Sequence, residues 1–203
     1  KYHQLMLILS PIPRDPTITQ VLIIERPGSN SQFYVITSEI MTYSGQHYRF
    51  HLIDMNLNGG LGGFVYKDSM LYNAQVSEKI TAVRHLNGTD IWLLGHEYGT
   101  DNYLSFLVTP AGINTTPVIS SVGNLHQSAN FYDAIGELKA SPAGNKIAAV
   151  TLNHPDIQLF DFNKSSGQIS NPLTLLETGG YDTIGNPSGL YGLSFSPDNT
   201  KLY

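Results

Sequence analysis

The chain has 203 residues, of which 41% are hydrophobic and 13% charged, with 12 Tyr, 8 Phe and a net charge of −5. That is enough apolar and aromatic material for a sizeable core, while 11 Lys and Arg spread thinly form no basic stripe, so no nucleic-acid partner is expected. No apolar run approaches the ~18 residues of a membrane helix, and the absence of cysteine excludes disulfides, thiolate catalysis and Cys-ligated zinc.

In chain order, residues 1–23 read as irregular or as the end of a preceding unit, and the start at Lys1 without a recognisable leader reads as a processed or internal piece. The first strands expected are "QFYVITSEI" from Gln32 and "YRFHLID" from Tyr48, closed by the turn-rich "MNLNGG". "ITAVRHLNGTD" from Ile80, "DIWLLGHEY" from Asp90, "YLSFLVT" from Tyr103 and an outer strand in "TPVISSVG" from Thr116 follow. Next come "GELKASPAGNK" from Gly136, "KIAAVTLNH" from Lys146, "IQLFDF" from Ile157 and "PLTLLE" from Pro172. "YGLSFSPDNTK" from Tyr191 and "KLY" from Lys201 begin the series again.

Three registers repeat together. Phe33, Ile91, Ile147 and Leu202 are separated by 58, 56 and 55 positions, and Tyr48, Tyr103 and Ile157 by 55 and 54. "SPAGNK" and "SPDNTK" fit a hairpin turn in which Pro sets φ early and Gly or Asn takes the left-handed position later. A period of about 55 residues without helical spacing predicts an all-β fold of four-stranded β-propeller blades, since a sandwich has no fixed period. The units expected are 24–79, 80–135, 136–190 and an incomplete 191–203, roughly 3.7 blades and hence a fragment of a larger ring.

Chemistry-bearing residues are few. Asp54, Asn56 and Asn58 fit the opening of a calcium loop, but the twelfth position from Asp54 is Val65 where a bidentate acid is needed, so the stretch is expected to be a corner between strands, with calcium the weaker reading. "GHEY" places His96, Glu97 and Tyr98 together. Neighbours on a strand face opposite ways, so His96 and Glu97 do not converge on one atom while the strand lasts. Glu39 and Asn153 occupy the place of Glu97 in the adjoining units, with His154 following, which predicts a polar tip offering Glu39, His96, Glu97, Tyr98, Asn153 and His154 as a binding surface. No zinc motif, nucleophile elbow or phosphate loop is present. Trp92 is expected in the blade core, as are its counterparts Tyr34 and Ala148.

"PGSNSQFYVIT", "LIDMNLNGGLG", the long stretch from Ser77 to Gly123 and "GLYGLSFSPDNTKLY" resemble the amino-terminal propeller region of large exported proteins of Bacteroidetes, which carry gliding-motility-associated signals read by the type IX secretion system. The resemblance implies an extracellular or cell-surface location, a protein or glycan ligand and secretion machinery as a partner, and it does not imply a known catalytic set. The function expected is therefore a non-catalytic binding or display module. The alternatives are a lactonase-like propeller hydrolase, with Glu39, Glu97 and Asn153 directed at a channel metal, and a subunit or bound cargo of a surface complex.

Overall fold

The computed structural model describes residues 18–39, 47–127, 132–152, 156–177 and 190–203, and all of their regular structure is strand apart from two short 3-10 turns. Strands β1 (Ile18–Glu25), β2 (Gln32–Glu39), β3 (Tyr48–Asp54) and β4 (Gly63–Tyr72) form the first antiparallel sheet in that order. β5 (Val76–Arg84), β6 (Ile91–Glu97) and β7 (Asn102–Thr109) form the second, its outer edge completed by β8 (Gly112–Ile113) and β9 (Val118–Ser121), both paired with β7. β10 (Leu138–Ala140), β11 (Lys146–Val150), β12 (Asp156–Phe162) and β13 (Ile169–Glu177) form the third. A bridge between Phe195 and Leu202 opens a fourth hairpin.

The sheets stack face to face, which explains why strands such as "IWLLGHE" are apolar without strict alternation: both of their faces are covered. Ile24, Tyr34, Ile36, Tyr48 and Leu52 of the first sheet pack against Val76, Leu93, Leu104 and Phe106 of the second. Val83, Trp92, Leu94 and Tyr103 on its other face pack against Leu138, Ile147, Ala149, Phe160 and Phe162 of the third. Ala148 and Val150 continue the stack against Leu193 and Phe195. The leading strands β1, β5 and β10 adjoin one another along a common inner edge.

Each leading strand turns back through the same hairpin. His85, Ser141 and Ser196 each donate their N–H across the turn, to Asp90, Lys146 and Lys201, and each accepts from the residue three further on. That third residue is Gly88, Gly144 or Asn199, with φ of 76°, 70° and 60°, the left-handed conformation that Gly and Asn adopt most readily. Arg26 begins a variant one residue longer, with Gly28 in the left-handed position.

Two sequence expectations shift. β1 starts the first sheet at Ile18, within the stretch set apart from the first unit. The strand register also differs. Phe50, Ser105 and Ile157 face the equivalent positions Ile36, Leu94 and Val150, so the counterpart of Ile157 is Ser105 and not Tyr103. The link between second and third strands varies in length, and hydrogen-bond register, not sequence distance, sets which residues are equivalent.

One close approach fixes the seam between the first two sheets. The Tyr48 hydroxyl, on β3, donates to the Lys79 carbonyl at 2.7 Å and accepts the His96 N–H at 3.1 Å. Gly95 lies beneath that ring, where an added Cβ would sit 2.4 Å from Tyr48 Cε2.

Candidate functional site

The residues singled out from sequence separate in space. Asp54 ends β3, accepting the Asn56 N–H at 2.9 Å and the Gln32 amide at 3.0 Å, while the Asn58 amide donates to Gly62. These groups close the corner between β3 and β4, and their oxygens serve the turn. Trp92 is 4% exposed, its indole N–H donating to the Lys164 carbonyl and its ring covering Gly167.

His96 and Glu97 face opposite sheets, as neighbours on a strand must. Glu97 turns toward the first sheet, accepting from the Tyr72 hydroxyl at 3.3 Å and from the Asn102 amide at 2.8 Å. Tyr98 is buried, its N–H bonded to the Gln75 carbonyl. His96 is fully buried on the other face. At the tip expected to present these groups to a ligand, His96 and Tyr98 are buried and Glu97 is partly exposed. Glu39 ends β2, and Asn153 and His154 lie outside the described residues. β2 and β6 are the second strands of their sheets, beside β1 and β5. Among the described residues no three His, Cys, Asp or Glu side chains assemble to hold a metal ion.

Sequence reasoning missed a different gathering at the starts of the leading strands. Glu78, in β5, accepts the Gly136 N–H at 2.9 Å. Glu137, just before β10, accepts the Leu193 N–H at 2.6 Å and pairs with Lys139 at 2.5 Å. The Tyr191 phenol lies close to the Glu78 and Gln20 side chains, and partial burial together with the charges of Glu78 and Glu137 raises its pKa, so it keeps its proton. Gln20, Glu78, Glu137 and Tyr191 come from four successive units and meet at one end of the inner edge. Each is an ordinary polar residue near a strand start, and no local motif marks it.

Lys79 is fully buried beside this group, donating to the carbonyls of Asp133 at 2.9 Å and Ile135 at 3.3 Å. Burial lowers its pKa to about 8, opposed by Glu78, Asp133 and Asp156. The exposed groups at this end carry both signs: Glu137 is one-fifth exposed, its ion-pair partner Lys139 44% exposed, and Tyr191 half exposed. The arrangement offers a carboxylate acceptor, a phenol donor and an amide to a polar, hydroxyl-rich molecule.

No family model matches the chain, and no curated protein matches it. Among solved structures it is similar to a candidate 6-phosphogluconolactonase from Bacteroides fragilis, at 12% identity and a TM-score of 0.53, covering 95% of this chain and 49% of that one. A second candidate 6-phosphogluconolactonase, from Bacteroides uniformis, matches at 12% identity and a TM-score of 0.49, covering 95% and 48%. The catalytic domain of a GH62 α-L-arabinofuranosidase from Coprinopsis cinerea matches at 12% identity and a TM-score of 0.49, covering 84% and 54%. The chain spans about half the length of the solved structures it matches. At this identity the first likeness speaks to the fold alone.

Proposed function

We propose that the chain forms about half of a β-propeller hydrolase, its sheets being consecutive blades around an axis along which the leading strands run, and that its substrate is a sugar lactone or related hydroxyl-rich ester. The observation that carries this reading is the convergence of Gln20, Glu78, Glu137 and Tyr191 at one axial opening. The likeness to the Bacteroides fragilis structure supports the propeller, and its name makes a lactone the first substrate to try. In the reaction, Glu137 takes a proton from the attacking water. Tyr191, kept protonated, turns its single O–H from Glu78 to the oxygen on which charge develops, and Gln20 orients substrate hydroxyls. Glu78 holds Tyr191 in place and ties β5 to the next unit.

The test is hydrolysis of sugar lactones by the full-length protein and by Glu137→Gln. The amide still accepts the Leu193 N–H and gives up only the exposed ion pair with Lys139, so E137Q is expected to lose little stability, about 1 kcal/mol at most, and about 100-fold or more in kcat. A protein that turns over no lactone, but binds glycans at this opening equally well with and without E137Q, would overturn the hydrolase in favour of the display module. An exported, surface-attached location rests on the sequence resemblance and belongs to the same proposal. Protease shaving of intact cells checks it, with release of peptides from this chain expected.

A further inference from the structure

Where the second and third sheets meet, two imidazoles lie on top of one another. His96 on β6 is fully buried and His126, in the segment after β9, is 3% exposed; their rings stack at 3.9 Å with 28° between planes. The Tyr103 ring stands edge-on to His96 at 4.6 Å. Both ring nitrogens of His96, Nδ1 of His126 and the Tyr103 hydroxyl have no hydrogen-bond partner among the described residues.

The charged groups around this stack offer it no compensation. From β5, Lys79 brings an ammonium, and Glu78 is bonded to the Gly136 N–H. From β12, Asp156 accepts from Thr151 at 2.5 Å and from the Asn124 amide. Asp133 sits in the 3-10 turn beside Lys79, Tyr48 of β3 is spent on the Lys79 carbonyl and the His96 N–H, and Glu97 faces the opposite sheet. Neither imidazole hydrogen-bonds a carboxylate among the described residues. A proton added to either ring would therefore be a buried cation against a neutral ring and near a second cation.

The segment carrying His126 joins the turn at 99–101 through three backbone hydrogen bonds, while its Asn124 amide is tied to Asp156 and Val122 packs on the core. Val122 N–H bonds Asp101, His126 N–H bonds Thr100, and Gly99 N–H bonds His126, at 3.0 to 3.1 Å. The Asn124 N–H reaches the Gln158 side chain at 3.0 Å.

We propose that the His96–His126 stack is an acid-operated latch on the seam between the second and third sheets, closed while both imidazoles are neutral and released by their protonation, which frees residues 122–127 from the turn at 99–101. Burial depresses both imidazole pKa values well below the ordinary range, with Lys79 adding for His96, and His96 and Lys79 adding for His126. The closed form then binds fewer protons than the open form, so the latch is stable above the free-imidazole pKa of about 6.5 and weakens as pH falls below it. This inference is independent of the hydrolase reading.

Amide exchange and imidazole NMR on the full-length protein from pH 7.5 to 4.5 test it. Neither ring is expected to titrate near 6.5. Protection of the Gly99 and His126 amides is expected to fall by more than tenfold per pH unit below about 6, the signature of more than one proton taken up on opening. Protection within the β6–β7 ladder, at Leu94, should hold over the same range. In His126→Gln the fall should shrink to tenfold per unit or less. Two rings titrating at the ordinary value with unchanged Gly99 protection would overturn the latch. So would a wild-type slope retained in H126Q.

Discussion

Lys79 carries a positive charge into a fully buried place. Its ammonium is satisfied by the Asp133 and Ile135 carbonyls, which join the inner strand of the second sheet to the segment leading into the third. Because burial lowers its pKa from 10.5 to about 8, the unfolded chain holds a proton between those values that the folded chain has released. Stability should therefore rise with pH from about 8 to 10.5, by about 3 kcal/mol at most. Chemical denaturation across that range is the measurement, and Lys79→Met should remove this part of the slope. Tyr48 sets a second local condition. Its hydroxyl serves two backbone groups of the neighbouring sheet, so Tyr48→Phe should cost about 1–3 kcal/mol by leaving them unpaired.

At the scale of the element, the recurring feature is the hairpin that starts each unit. The left-handed position is filled by Gly88, Gly144 and Asn199 in the same place of the turn. At Gly144 an added Cβ would also meet Val83 Cγ1 at 2.8 Å, so Gly144→Ala combines backbone strain with a clash against the second sheet. It should lower stability by about 1–3 kcal/mol, whereas Gly88→Ala, which meets nothing within 4 Å, should cost only the strain. Comparing the two melts separates conformation from packing. Equal losses would mean that the contact with Val83 carries no weight.

For the molecule as a whole, stacking decides stability. Two of the seams are filled by continuous apolar clusters, yet the other face of the first sheet leaves Val21 47% and Ile23 40% exposed, beside Val35 and Ile53, which are covered by Met55 and Phe64. An apolar sheet face of this kind promotes association. Residues 1–203 taken alone are expected to self-associate with rising concentration, and Ile23→Lys should suppress it, as followed by light scattering. In a closed propeller the same residue would lie against another blade, and I23K would instead destabilise it.

The sequence by itself determined the all-β class, the repeat, the hairpin turns and the burial of Trp92, because strand periodicity and turn chemistry are local properties written in consecutive residues. It also determined that His96 and Glu97 face apart, which follows from the pleat alone. The inner edge and its gathering of Gln20, Glu78, Glu137 and Tyr191 were decided only by the tertiary structure, and so was the stack of His96 on His126. The reason is physical: those groups lie far apart in the chain, and they meet only because packed sheets bring the starts of successive strands to one place. No spacing rule measures that distance. Likewise, His96 of "GHEY" reads as a surface residue until its neighbours cover it, since burial belongs to what packs against a residue and not to the residue itself.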